Sequence, residues 1–223
     1  MSDAELMLDR PVYRLGEVDE LLGTARGTAR RWIDGWHRGR RRYGPLVRAE
    51  RTGSDVVTWG EFVAARLLSE FGDRGIDVFA LRPTISAMSK AFGTAHPLAI
   101  ARPFMEAKGR RLVLRVQDEV ALDSDLGLVV ADDGGARLSP EVARFIRAAY
   151  YGAAGFVARI VLEGAVVVDP EYASGRPTMA GRRLRADIIA EAVNAGERRG
   201  EVARMWDLTP TAVDDAVRFV SRA

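Results

Sequence analysis

Arginine supplies the chemistry most visible in this chain. Between Gly23 and Arg51 stand nine of them, Arg26, Arg30, Arg31, Arg38, Arg40, Arg41, Arg42, Arg48 and Arg51, against two carboxylates, Asp34 and Glu50. A guanidinium stays charged at physiological pH and grips phosphate oxygens with a planar fork, so this cluster suits a polyanion. The formal net charge of the whole chain is only +2, so the positive charge is local. Other chemistries find less material. Cysteine is absent, which removes disulfides, zinc knuckles and thiol catalysis, and the two histidines, His37 and His96, are far apart in sequence. No nucleophile, base and orienting group assembles around them, and HRGRRRYG lacks the preceding strand and the lysine of a phosphate-cradling loop. Asp132 and Asp133 in DDGG offer too few converging oxygens for an octahedral ion and read as a tight turn. No enzymatic activity, metal or cofactor is expected.

The arginines sit on, and just after, a pair of helices predicted over Leu15 to Gly35. Leu15, Val18, Leu21 and Leu22 recur on one helical face, with Glu17, Asp19 and Glu20 elsewhere, and Gly23 stops the helix. A second helix, capped near Thr24, buries Ala25, Ala29, Trp32 and Ile33 and turns Arg26, Gly27, Thr28, Arg30 and Arg31 outward. That cationic face is narrow enough to enter a DNA major groove, with Arg38, Arg40, Arg41 and Arg42 beside it for phosphates. His37 falls on the phosphate or solvent side, and Trp36 is partly exposed.

Further along, Pro45–Val47 and Val56–Val57 flank a turn at Thr52, Gly53 and Ser54, which predicts a β-hairpin wing. Thr58 caps a helix with Trp59, Phe62, Val63 and Leu67 inside, ending near Gly72. Another helix opens at Asp77, with Ile76, Phe79, Ile85 and Met88 as core, Pro83 as a kink or fresh start, and His96 at its end. From Ala101 to Ala149 the runs RLVLRV and LGLVV suggest a small sheet, followed by a helix opened by Ser139 and Pro140 with Val142, Phe145 and Ile146 inside. Phe156–Leu162 and Ala165–Val168 form a hairpin about Glu163 and Gly164. Three helices close the chain, around Ile188, Ile189 and Val193, around Val202, Met205 and Trp206, and from Thr209 and Pro210 onward. Their last member carries Asp214 and Asp215 against Arg218, a face that repels phosphate and favours a protein partner.

YRLGEVDELLGTARGTARRWIDG, a wing and TWGEFVAARLLSEFGDRGIDV together resemble a MerR-type winged helix-turn-helix over about the first 95 residues. Gly23, Thr28, Arg30, Arg31 and Trp32 carry the likeness. Ala29 stands where that family usually has a larger aliphatic, and no long coiled coil or cysteine-bearing effector segment follows. Phe156 to Phe219 resembles a VapB-type antitoxin domain family, through Asp169, Pro170, Gly175, Arg176, Pro177, Gly181 and Arg182. The pairing of these two domains implies an antitoxin that binds its own operator and partners a PIN-like ribonuclease toxin.

The fold expected is therefore α+β and mainly α. It comprises a winged helix-turn-helix over 1–95, a small β/α connecting region over 96–155, and a β-hairpin with three helices over 156–223. The last segment is small for a self-sufficient core, which favours a homodimer built on Val166, Val167, Val168, Ile188, Ile189, Trp206, Val213 and Val217. Double-stranded DNA is the expected partner and the cytoplasm the expected location, since no run of about 18 apolar residues or signal pattern occurs. The alternatives are a stand-alone dimeric regulator and a protein-interaction module with incidental DNA binding.

Overall fold

A computed structural model describes residues 3–72, 77–132 and 135–222; Ile76 and Asp133, and the side chains of Asp3, Ala4 and Arg38, lie outside that description. The architecture is α+β in two units, residues 1–157 and 158–223. The expected segments 1–95 and 96–155 both fall within the first unit.

That unit opens with α1 (Asp3–Leu8) and β1 (Pro11–Arg14), then α2 (Leu15–Leu22) and α3 (Thr28–Ile33). Strands β2 (Trp36–Arg38) and β3 (Arg41–Tyr43) pair as an antiparallel hairpin, whereas β4 (Val56–Thr58) pairs antiparallel with β1. The long helix α4 (Trp59–Gly72) follows, then α5 (Arg82–Phe92), α6 (Arg102–Met105), α7 (Ala107–Glu119), the hairpin of β5 (Val129–Asp132) and β6 (Gly135–Leu138), α8 (Pro140–Ala148) and β7 (Ala149–Tyr151). Pro83 marks the first turn of α5, a fresh start and not a kink.

The core of the unit is α4. Thr58 and Glu61 cap it reciprocally, the Glu61 carboxylate accepting from the Thr58 amide at 2.8 Å and Thr58 Oγ1 accepting from the Glu61 amide at 3.4 Å. Trp59, Phe62, Val63, Leu67, Leu68 and Phe71 are fully buried along it, each worth about 1.5–3 kcal/mol on transfer from water. The Trp59 indole N–H donates to the Val157 carbonyl at 2.6 Å, and the Val157 amide donates to the Ala99 carbonyl at 2.9 Å.

Two expected elements are placed differently. The hairpin predicted across Pro45 to Val57 does not form, because Leu46 and Val47 donate their amides to the Trp32 carbonyl at 2.8 and 3.0 Å and Val56–Val57 joins β1. The hairpin lies earlier, where Trp36 and Tyr43 stack at 4.4 Å and Gly39 takes the left-handed first position of a two-residue turn. RLVLRV is helical within α7, since Gly109, Val113, Val116 and Gln117 share one buried face. Gln117 there accepts from the Leu128 and Val129 amides and donates to the Val129 carbonyl, fixing the start of β5.

In the second unit β8 (Val157–Glu163), β9 (Val166–Val168) and β10 (Thr178–Met179) run antiparallel in the order β10-β9-β8, followed by α9 (Ala186–Asn194), α10 (Arg199–Met205) and α11 (Pro210–Arg222). Val166, Val168, Ile189, Val202, Val213 and Phe219 are buried. Ile188 and Met205, expected in the core, are 38% and 65% exposed, because α9 buries the stripe of Ala186, Ile189 and Ala190 and α10 buries Val202 and Ala203. Asp215 is buried as well. Its carboxylate accepts from the Ala165 amide at 2.9 Å and lies so close under the β8–β9 turn that a Cβ on Gly164 would collide with it. Asp214 is paired with Arg199 at 2.8 Å. The phosphate-repelling face expected on α11 is thus reduced to one paired carboxylate. Among the described residues no helix is long and apolar enough to cross a membrane.

Candidate nucleic-acid interface

Asp19 joins α2 to α3. Although it falls off the apolar stripe of α2, it is buried, and its carboxylate accepts from the Gly27 amide at 2.6 Å, the Ala29 amide at 2.7 Å and Thr24 Oγ1 at 3.0 Å. It therefore satisfies the amides at the start of α3 from outside that helix. The left-handed Gly27 is the N-cap of α3 in place of Thr24, so the helix begins at Thr28, three residues later than expected. Six residues remain. Ala29, Trp32 and Ile33 face inward as predicted, Thr28 is buried instead of outward, and Ala25, in the turn, is exposed instead of buried.

Arg26, Arg30 and Arg31 point to solvent, each in a different setting. Arg26 has no carboxylate partner among the described residues. Arg31 donates to Thr28 Oγ1 at 3.0 Å, and Arg30 is paired with Asp55 at 2.9 Å. The β2–β3 hairpin follows directly and exposes Arg40, Arg41 and Arg42, none with a carboxylate partner among the described residues. The side chain of Arg38 is outside the described ones. His37 is exposed on the hairpin, and Trp36, half-buried, contacts Phe79 as well as Tyr43.

Arg48 leaves the cationic surface, whereas Arg51 stays exposed beside Asp34. The Arg48 guanidinium donates to Glu61 at 2.6 and 3.1 Å, Asp34 at 2.8 Å, Thr52 Oγ1 at 2.7 Å, and the carbonyls of Ser54 and Val56 at 3.2 and 2.6 Å. Asp34, fully buried, also accepts from the Thr52 and Gly53 amides and lies 3.6 Å from Arg51. Burial works against ionising Asp34, but the Thr52 amide, Arg48, the Thr52 hydroxyl and the Gly53 amide outweigh it and hold the carboxyl below its ordinary range. Arg48, likewise opposed by burial, is held above its ordinary value by Glu61 and Asp34. This cluster locks residues 48–56 beneath α3.

The predicted arginines are therefore gathered on one unit, six of them exposed around α3 and the hairpin. Asp19, Asp34, Glu61 and Asp55 were not legible as site-shaping residues, apart from the Thr58-x-x-Glu61 capping spacing. His96, expected simply at a helix end, pairs with Asp9 at 2.8 Å. No group of three or more His, Cys, Asp or Glu side chains is placed to hold a metal ion among the described residues.

Comparison with known proteins decides the kinship. Over 222 residues the chain is 32% identical to the uncharacterized protein Rv2308 of Mycobacterium tuberculosis, covering 97% of this chain and 92% of that one. The chain belongs to that protein's family. A second protein of the same organism, named "Putative antitoxin VapB45", is 25% identical over 238 residues, covering 99% of this chain and 98% of its own. Residues 166–220 match the family described as "Protein of unknown function (DUF433)". The crystal structure of Rv2018 from Mycobacterium tuberculosis shares the fold, with a TM-score of 0.77 at 23% identity, covering 95% of this chain and 99% of that one.

Proposed function

We propose that this protein is a sequence-specific, double-stranded DNA-binding antitoxin that regulates its own toxin–antitoxin operon. In this reading α2, α3 and the β2–β3 hairpin act as a MerR-like winged helix-turn-helix, and the second unit pairs two copies on a palindromic site. The observation that carries it is a set of guanidiniums with no carboxylate partner among the described residues, Arg26 on the turn before α3 and Arg40, Arg41 and Arg42 on the hairpin after it, exposed within one unit. Such a set neutralises phosphates on both sides of a helix lying in a groove. The name of the VapB45 relative supports a toxin as partner. On this reading the chain carries out no reaction.

The test titrates the full-length protein against the duplex upstream of its own gene at several salt concentrations. With six or more phosphates neutralised, affinity drops by about 10³ between 50 and 200 mM salt. R41A/R42A lowers the salt slope by about 1.8, at ~0.9 per phosphate. A salt-independent isotherm, or an unchanged slope in the double variant, refutes the DNA reading. Co-purification with the product of the adjacent reading frame tests the toxin separately.

A further inference from the structure

We propose that Asp55 is a positioning residue that holds the Arg30 guanidinium toward a base edge, a guanine, and away from the phosphates; this rests on the DNA-binding reading above. Arg30 is the third residue of α3, in the half of such a helix that meets base edges. Asp55 Oδ1 accepts from Arg30 Nη2 at 2.9 Å, which occupies one of five N–H donors and leaves the rest of the fork open. Paired Arg forks most often take guanine O6 and N7.

Asp55 is itself held from three sides. Its backbone carbonyl accepts from the Leu15 amide at 3.0 Å, at the start of α2. Its other carboxylate oxygen lies 3.8 Å from Arg14 Nη1. The residues flanking it, Ser54 and Val56, give their carbonyls to Arg48, whose cluster with Asp34 and Glu61 is buried. An exposed ion pair alone does little for stability. Here one member stands on a braced loop and the other on a capped helix, so the pair fixes a direction. The three arginines of the turn and helix thereby separate: Arg26, with no carboxylate partner among the described residues, faces phosphate, Arg31 leans on Thr28, and Arg30 is aimed.

The experiment selects a preferred duplex from a random pool with the full-length protein, then measures wild type, D55N and R30K on the selected and a scrambled duplex at two salt concentrations. In D55N the freed Arg30 takes a phosphate. Preference for the selected duplex then falls about fivefold or more, and the salt slope on scrambled DNA steepens by ~0.9. R30K keeps the charge but loses the fork, so preference falls with the slope unchanged. Thermal unfolding of D55N matches wild type, since the side chain is half-exposed. Wild-type binding with unchanged preference in D55N, or in R30K should D55N fail to fold, overturns the inference and leaves the DNA reading standing. Failure of the wild type to bind any duplex overturns both.

Discussion

Replacing Arg48 with methionine keeps most of the side-chain volume and removes the guanidinium that pairs with both Asp34 and Glu61. Six hydrogen bonds from that guanidinium are lost, and two carboxylates, one fully and one nearly buried, lose their shared cation. Breaking a buried pair from one side costs about 3–5 kcal/mol. For a unit of this size, each kcal/mol is about 2–4 °C, so unfolding of the first unit moves down by about 6–20 °C. The variant also has a pH signature. In the wild type the Asp34 carboxyl is held below its usual 3.8, so its contribution is present above that value and is lost as pH falls through the lower folded one. Without Arg48 the Asp34 carboxyl keeps the Thr52 and Gly53 amides but loses its guanidinium, so burial weighs more heavily, its folded value moves up and the stability it contributes near neutrality shrinks. The gap between wild type and R48M is therefore widest near neutrality and narrows toward pH 4. Thermal unfolding followed by tryptophan fluorescence across that range measures it. A shift under about 2 °C, or a gap that does not change with pH, would refute the account of residue 48 as the buried centre of the loop.

Asp19→Ala strips the acceptor from the Gly27 and Ala29 amides and should cost about 1–3 kcal/mol in urea unfolding; binding to a selected duplex should weaken with it, and an unchanged midpoint would show that water caps α3 as well. Gly164→Ala places a methyl against the Asp215 carboxylate at a left-handed position and should cost more than about 1 kcal/mol. Unfolding of the second unit, read through Trp206, checks this against Gly181→Ala, which shares the left-handed backbone but meets no atom within 4 Å.

Periodicity made α4 legible to the residue, since Trp59, Phe62, Val63 and Leu67 are all buried and the helix ends at Gly72 as predicted. Turn chemistry was equally readable at Gly23 and at Ser139 with Pro140, while the β8–β9 turn falls one residue later than expected, at Gly164 and Ala165. What escaped were residues whose role is set by partners distant in sequence. Asp19 looked like one more acid off the apolar face, yet its acceptors serve amides eight and ten residues on. Arg48 looked like part of a basic surface, and only the fold reveals Asp34 and Glu61 on either side of it. RLVLRV satisfied a strand and a helix alike, and packing against β5 and β6 decided for the helix. The hairpin predicted about Thr52, Gly53 and Ser54 is misplaced because these residues are good turn formers. Their chain bends there to bind Asp34, not to reverse a strand.

The bond from Trp59 to the Val157 carbonyl spans 98 positions in the chain. During synthesis at about 5–20 residues per second, roughly 5–20 s separate the appearance of that indole from the appearance of its acceptor. Through that interval the largest side chain of α4 has no lid, and a fragment cut at residue 95 would stay in that state permanently. The nascent chain therefore carries the arginines of α3 and the β2–β3 hairpin well before the Trp59 bond can form.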